Sequence, residues 1–306
     1  MSPSFASALV AAREAAGSQH YPQGALYVVA TPIGNLADIS LRALHVLALA
    51  DAIACEDTRH TQSLLRAYGI DRAPGQLLAV HQHNEAEASQ ALVDRMRGGQ
   101  RVAYASDAGT PAVSDPGARL VAAAHAAGLR VVPVPGASSV TALLSAAGAV
   151  EEGGFLFRGF LPSKAGERDA AVQALAQQPH AVVLLEAPHR IEALALSLVA
   201  LGSRPITVGR ELTKQFEQVA TLTCEQLAAW LAADPQRLRG EFALVLHPMA
   251  EAADAGDEAR VLQLLLAELP VKTAVKLAAD ITGGSRNALY ELALHMKKKG
   301  AEPSPA

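Results

Sequence analysis

Cysteine is nearly absent: Cys55 and Cys224 are the only two among 306 residues, and they stand far apart in the chain. That excludes a disulfide framework and a Cys-rich zinc site, and it fits a reducing cytoplasm. No run of residues is both long and continuously apolar, because charges or helix breakers interrupt each one. No bilayer-spanning helix, and so no membrane partner, is expected. Residues 1–23 lack the basic start and apolar stretch of a secretory signal; they read as an N-terminal extension, a lead-in or short helix. Excess positive charge is missing too, with 26 Lys and Arg against 30 Asp and Glu, a formal charge of −4 and a pI near 6.2. A protein that coats nucleic acid through overall charge is therefore excluded. Neither the G-x-G-x-x-G fingerprint nor the G-x-x-x-x-G-K-[ST] phosphate loop occurs, which disfavours a Rossmann dehydrogenase and a P-loop enzyme.

What is present is apolar and periodic. Half the chain is hydrophobic, enough to bury sizeable cores over two domains. Short apolar runs at residues 25–30, 52–55, 77–80, 101–105 and 130–134 alternate with longer amphipathic segments, the pattern of βαβ units and a parallel sheet. Gly69, Gly98 and Gly128 mark helix C-termini, and Ser40 and Asn84 mark N-caps. This first α/β domain covers residues 24–148. After a linker at residues 151–154, a second series begins at 155–157, 181–185, 206–208, 218–222 and 242–246. Its last two runs flank one short helical stretch, which predicts a mixed sheet in a second α/β domain over residues 149–250. An acidic connector at 251–258 leads into a helical tail, residues 251–306, with three helices between 259 and 299. The fold class is thus α/β, two domains with a small C-terminal helical region. From Val271 to Gly300 that tail holds Lys272, Lys276, Arg286, Lys297, Lys298 and Lys299 against only Asp280 and Glu291. Helix, Gly-bearing turn and helix follow one another from Leu277 to Tyr290, compatible either with a helix-turn-helix unit that docks RNA or with a helical cap whose basic face is solvated.

Three loops follow strands of the first domain: Thr31-Pro-Ile-Gly-Asn-Leu36, Ser106-Asp-Ala-Gly-Thr-Pro-Ala-Val-Ser-Asp-Pro-Gly117 and Pro135-Gly-Ala-Ser-Ser139. Each sets Gly or Pro where the backbone turns sharply and offers N–H groups or hydroxyls near a helix start. Alone, any one is a tight turn; three at strand ends describe one ligand crevice. Asp107, directly after its strand, is placed to reach a ligand, whereas Asp115 shapes the loop.

Taken with Glu56-Asp-Thr-Arg-His-Thr61, Gly159-Phe-Leu-Pro162, Glu186-Ala-Pro-His-Arg190 and Arg210-Glu-Leu-Thr-Lys214, these loops closely resemble the ribosomal small-subunit RNA methyltransferase I family, in the tetrapyrrole-methylase-like class of S-adenosylmethionine (SAM) enzymes. The resemblance runs from about Ala25 to Lys298. It implies two α/β domains with SAM in the cleft between them, methyl transfer to the ribose 2′-oxygen of a cytidine in the decoding region of 16S rRNA in the small ribosomal subunit, a cytoplasmic location and a homodimer. The cofactor positions it carries over are Ile33 and Gly34, Asp107 and Thr110, and Ser138 and Ser139, joined by Leu185 and Ala243 from their strand-end positions. The small residues Gly34, Gly109 and Ala137 would let backbone approach the cofactor closely.

Methyl transfer is an in-line displacement and needs its reactants held at near-attack distance; no metal is required. A base or an alkoxide-stabilising group would assist the weakly acidic hydroxyl. Glu56 is the candidate base, although a strand-end carboxylate also anchors arginines. Lys164 is a second catalytic candidate, and Lys164 with Arg168, in a Gly/Pro-flanked loop, is expected to contact RNA phosphate, as are Lys272, Lys276 and Arg286 in the tail. For these cations the competing reading is an ion pair with a nearby carboxylate. His60 and His189 are either proton carriers or simple helix caps. Two rivals remain: a methylase of a porphyrin-like ring, disfavoured by the 4% aromatic content and the basic tail, and a non-catalytic RNA-binding assembly factor with a vestigial cleft.

Overall fold

The computed structural model describes residues 5–73, 75–81, 84–115, 117–149, 154–176, 178–249 and 255–299. Most of the two expected connectors, residues 151–153 and 251–254, lies outside the described residues. The chain divides into two compact units, Met1–Gln177 with Ala181–His247, and Gln178–His180 with Pro248–Ala306.

The larger unit holds two five-stranded sheets. In the first, β1 (Ala25–Val29), β2 (Ala52–Cys55), β3 (Leu77–Ala79), β4 (Val102–Ala105) and β5 (Arg130–Val134) run in the order β3-β2-β4-β1-β5, all parallel. Strands β2 and β4 are buried at every position, as expected of a parallel sheet covered on both faces. The period of two divides the side chains. Tyr27, Ile53 and Ala103 face α1 (Ala6–Ala16), α2 (Leu41–Leu49) and α3 (Thr58–Ala67), while Leu26, Ala54, Val102 and Tyr104 face α4 (Glu85–Arg97) and α5 (Gly117–Ala126). The N-terminal extension thus contributes a helix packed through Ala12 into the first core.

The second sheet runs β6-β7-β10-β8-β9, from β6 (Phe155–Gly159), β7 (Ala181–Glu186), β8 (Pro205–Arg210), β9 (Gln218–Thr223) and β10 (Phe242–Leu246). Only β6 and β7 are parallel; β7-β10, β10-β8 and β8-β9 are antiparallel. One face packs on α7 (Ala165–Ala176), α8 (Ile191–Leu198) and α9 (Leu227–Ala232) through Val172, Leu194 and Leu227. The other receives α6 (Ser139–Ala147), whose Val140, Leu143 and Ala147 lie against Val183, Ala243 and Val245. Gly209 in β8 is what permits this approach, since a Cβ there would fall 2.6 Å from Leu143 Cδ1.

Local signals hold, Gly98 at the C-cap of α4 included, with Asn84 the exception. Ser40 caps α2 by accepting from the Ala43 N–H at 3.1 Å. Asn84 sits at the N-cap of α4, but its side chain serves the preceding turn instead, accepting from His81 N and donating to the Ala79 carbonyl. Gly98 keeps φ −75° because its N–H still reaches Asp94 O; the left-handed residue is Gly99, at φ +86°.

The smaller unit contains α10 (Ala255–Glu268), α11 (Val271–Thr282) and α12 (Arg286–Lys299), joined in a core by Leu262, Ala274, Ala278, Leu289 and Ala293. Gly283 ends α11 at φ +74°, and the Thr282 hydroxyl donates to Ala278 O at 2.7 Å. Helix, tight turn and helix therefore stand as expected.

Candidate functional site

Strands β4, β1 and β5 are neighbours, so the loops at their carboxyl ends must meet. Thr31 and Gly109 exchange backbone hydrogen bonds at 3.0 and 3.1 Å, and the Thr31 hydroxyl donates to Ser106 O. Gly109 adopts φ +82° and lies against the Ile33 side chain. The Thr110 hydroxyl donates to Ala137 O at 3.2 Å, tying the second loop to the third. Asp115 shapes the long loop: its Oδ1 accepts from Ala112 N at 2.7 Å, from Gly117 N at 3.0 Å and from the Tyr104 hydroxyl at 3.3 Å. Those bonds hold Ala112 at φ +65°, a conformation that costs a non-glycine residue about 1 kcal/mol or more.

Between these loops and the second sheet lies a cavity of about 300 Å³. Ile33, Thr110, Ser138 and Ser139 line it from the first sheet, and Leu185, Glu186 and Ala243 from the second. Leu185 and Ala243 are direct cross-strand partners, as are Glu186 and Phe242. Ser138 is the N-cap of α6 yet makes no side-chain capping bond. Its hydroxyl and the first N–H groups of α6 stand at the cavity as donors, on the positive end of the helix. The remaining lining is mostly apolar, as ligand pockets are.

Six of the eight expected cofactor positions line the cavity; Gly34 and Asp107 do not. At Gly34 a Cβ would fall 2.3 Å from Lys214 Cγ, so the glycine admits the lysine stem rather than a ligand. Asp107 turns into a carboxylate shelf beside the cavity. Its N–H donates to Glu56 Oε1 at 3.4 Å, and its Oδ1 accepts from Asp57 N at 3.3 Å. Asp57 caps α3 and pairs with Arg59, whose hydrogen bonds hold the Asp57 carboxyl far below the usual range. Burial, against the opposing Asp107 N–H, pushes the Glu56 carboxyl upward, and the charges of Asp115 and Asp107 add to the rise. Glu56 does not line the cavity either.

The motifs on the second sheet and its loops are braced. Glu186, 2% exposed, accepts from Ala187 N and from Arg190 Nε at 3.0 Å through Oε1; its buried Oε2 has no partner in the protein. Arg190 also donates to the Leu161 carbonyl. Arg210 is buried and donates to the carbonyls of Arg239 and Phe216. Lys214 bridges Glu211 Oε1 at 2.9 Å and Glu241 Oε2 at 2.8 Å, within a turn where Glu211 and Thr213 have positive φ. Lys164 is exposed and pairs with Glu167 at 3.1 Å. Arg168 lies in α7 rather than in the Gly/Pro-flanked loop expected for it, and donates to the Ser197 hydroxyl of α8 and to the Ser163 carbonyl of the loop. His60 and His189 are exposed and outside the cavity. Cys55 and Cys224 are buried, which pushes each thiol up to about 11.

Sequence reasoning passed over Phe160, Pro188, Leu212 and Glu241 as lining residues. Phe160 and Pro188 lay inside quoted motifs, but nothing in their spacing distinguishes a rim residue from a turn residue. In the helical unit Lys272 and Lys276 are exposed on α11, and Arg286 pairs with Asp280 at 2.9 Å. The side chains of Lys297, Lys298 and Lys299 lie outside the described ones. Among the described residues no helix is long and apolar enough to cross a membrane, and no group of three or more His, Cys, Asp or Glu is placed to hold a metal ion.

Comparison with known proteins places this geometry. The family Tetrapyrrole (Corrin/Porphyrin) Methylases matches residues 25–228, and the RsmI C-terminal HTH domain matches residues 252–297. The chain is 47% identical to the ribosomal RNA small subunit methyltransferase I of Neisseria meningitidis serogroup B, over 90% of this chain and 95% of that protein. It is 46% identical to the Pseudomonas aeruginosa protein of the same name, over 90% and 99%. Among solved structures it is similar to the uroporphyrin-III C-methyl transferase of Thermus thermophilus complexed with S-adenyl homocysteine, with 21% identity, a TM-score of 0.50, and coverage of 72% of this chain and 96% of that one. The chain therefore belongs to the ribosomal RNA small subunit methyltransferase I family, on the tetrapyrrole methylase fold.

Proposed function

We propose that this protein is a SAM-dependent methyltransferase that acts on the ribose 2′-oxygen of a cytidine in the decoding region of 16S rRNA, within the small ribosomal subunit in the cytoplasm, and that it works as a homodimer. The observation that carries the reading is the cavity itself: three strand-end loops and the N-terminus of α6 face the Leu185–Ala243 wall, in a chain nearly half identical to ribosomal RNA methyltransferases. The residues fit the cofactor. Apolar Ile33, Leu185 and Ala243 suit an adenosine, Ser138, Ser139 and the α6 N–H groups suit a carboxylate, and the unpartnered Glu186 Oε2 suits an ammonium or hydroxyl donor.

When bound, SAM supplies an electrophilic methyl group on a sulfonium. This chain contributes position. The Thr31–Gly109 and Thr110–Ala137 bonds fix the loops before any ligand arrives, so little ordering remains to be done on binding. Holding the target oxygen in line supplies the main part of the rate enhancement. Glu56, made more basic than an ordinary carboxylate by burial and by the charges of Asp115 and Asp107, is the proton acceptor proposed for the ribose hydroxyl, from a shelf next to the cavity. Lys164, on an exposed loop, and Lys272, Lys276 and Arg286, on the helix-turn-helix unit, supply phosphate contacts.

The test uses the full chain with labelled SAM and small ribosomal subunits, followed by mass mapping of the RNA. Label on a single cytidine ribose is expected. Label only on a small molecule overturns the reading.

A further inference from the structure

The loop from Gly159 to Lys164 carries an aromatic side chain whose exposure the fold does not require. Gly159 ends β6 at φ +64° and swings the chain out of the strand. Leu161 returns to the core at 4% exposure, but Phe160 stays 51% exposed on the lining of the cavity. The other aromatic of the lining, Phe242, is 3% exposed and packs into the core of the second sheet. Phe155 and Phe216 are also exposed, but neither lines the cavity.

Phe160 is also held. Buried Glu186 grips Arg190 at 3.0 Å, and Arg190 donates to the carbonyl of Leu161, the residue directly after Phe160. Further along the loop, the Ser163 carbonyl accepts from Arg168 of α7 at 3.1 Å. A ring carried on backbone that a half-buried ion pair braces, and left open to solvent on a ligand cavity, is built to be covered by something flat. Lys164, 80% exposed and four residues on, sets a cation on the same loop. An aromatic face and a cation on one short segment, the cation held only by an exposed pair with Glu167, match the two ends of a nucleotide: bases stack on aromatic side chains, and phosphates pair with lysine.

Resting on the functional reading above, we infer that Phe160 is the platform on which the base of the target nucleotide stacks, orienting its ribose toward the cavity, with the Glu186–Arg190–Leu161 chain as the positioning element behind it. The platform reads a flat face rather than hydrogen-bonding groups, so it tolerates any base and leaves the choice of nucleotide to the surrounding RNA.

The experiment compares the full chain with Phe160→Ala, Phe160→Leu and Phe160→Trp in methyl transfer to small ribosomal subunits, with SAM binding followed by calorimetry. Because Phe160 is half exposed, unchanged thermal melts are expected and serve as the check on folding. Phe160→Ala should raise KM for the subunit at least tenfold while SAM affinity stays within twofold. Phe160→Leu, apolar but without a ring, should behave like the alanine variant, and Phe160→Trp should restore the native KM. An unchanged KM in Phe160→Ala, or a loss of SAM affinity as large as the rise in KM, overturns the proposal; the second outcome makes Phe160 a wall of the cofactor pocket. If the unmodified chain methylates no RNA, the functional reading itself falls, and the variants are not needed to see it.

Discussion

The first sheet meets the cavity with loops and the start of α6, the second with strand positions of β7 and β10 beside the loops that carry Phe160, Pro188 and Glu241. On the first side, Ile33, Thr110 and Ser138 sit on turns whose shape is fixed by glycine, by Asp115 and by backbone bonds between loops. On the second, Leu185 and Ala243 are cross-strand partners on one face of β7 and β10, while Phe242 turns into the core behind and Glu186 reaches Arg190, an arrangement that exists only because β10 inserts between β7 and β8. One wall is therefore local in origin and the other tertiary. The contrast predicts where each is fragile: the loop wall at single hydrogen-bonding residues, the strand wall at buried charge.

The largest effect is expected at Glu186. Glu186→Ala strands Arg190 without its carboxylate, and because that arginine is about a quarter exposed the cost belongs at the low end for a buried pair, about 3 kcal/mol in urea unfolding. Replacing both residues by methionine should recover much of that loss, since no charge is then left unpaired. A double variant as unstable as the single one would show that the Leu161 carbonyl, not the carboxylate, is what Arg190 is there to hold.

Asp115 is the counterpart on the loop wall. Asp115→Ala removes the acceptor of two backbone N–H groups and of the Tyr104 hydroxyl, for an expected loss of about 2 kcal/mol, while Asp115→Asn should keep most of the stability through the retained Oδ1. Neutral behaviour of the alanine variant would mean that the Thr31–Gly109 bridge shapes the loop unaided, and that the two walls differ less than their geometry says.

The same contrast explains what could be read from the amino-acid sequence. All ten strands lie at the expected apolar runs; in β2, β4 and β10 burial on two faces writes itself as a continuous apolar run, and in half-exposed β9 as alternation. The three loops were legible because turn chemistry is local. The place of Asp107 after β4 is also the place of a turn residue, and only the structure shows its oxygen engaged by the Asp57 N–H. Gly34 is small for the sake of Lys214, 180 positions away, and Gly209 for the sake of Leu143; neither distance leaves a trace in spacing. Phe160 and Glu241 were invisible for the same reason, since a rim is defined by what lies across it.

The smallest effect is expected where the walls are strapped together. Lys214 lies on Gly34 of the first loop and bridges Glu211 and Glu241, beside the second sheet. Burial alone would raise the Glu211 carboxyl, but the hydrogen bonds from Lys214 and from the Glu241 N–H bring it below its ordinary value. Lys214 is raised: burial works against it, and its two carboxylate partners prevail. A depressed carboxyl contributes stability that is present above its unfolded pKa, about 4.3, and lost as pH falls through the folded value. A raised lysine contributes stability that is present below its unfolded pKa, about 10.4, and lost as pH rises through the folded value. Lys214→Met should therefore cost about 1 kcal/mol at neutral pH, discounted for the partial exposure of the pair. The gap in thermal melting between variant and native chain should close as pH falls through the carboxylate range. A gap that persists in acid would assign the role of Lys214 to its aliphatic stem on Gly34, making the strap a packing contact rather than an ion pair.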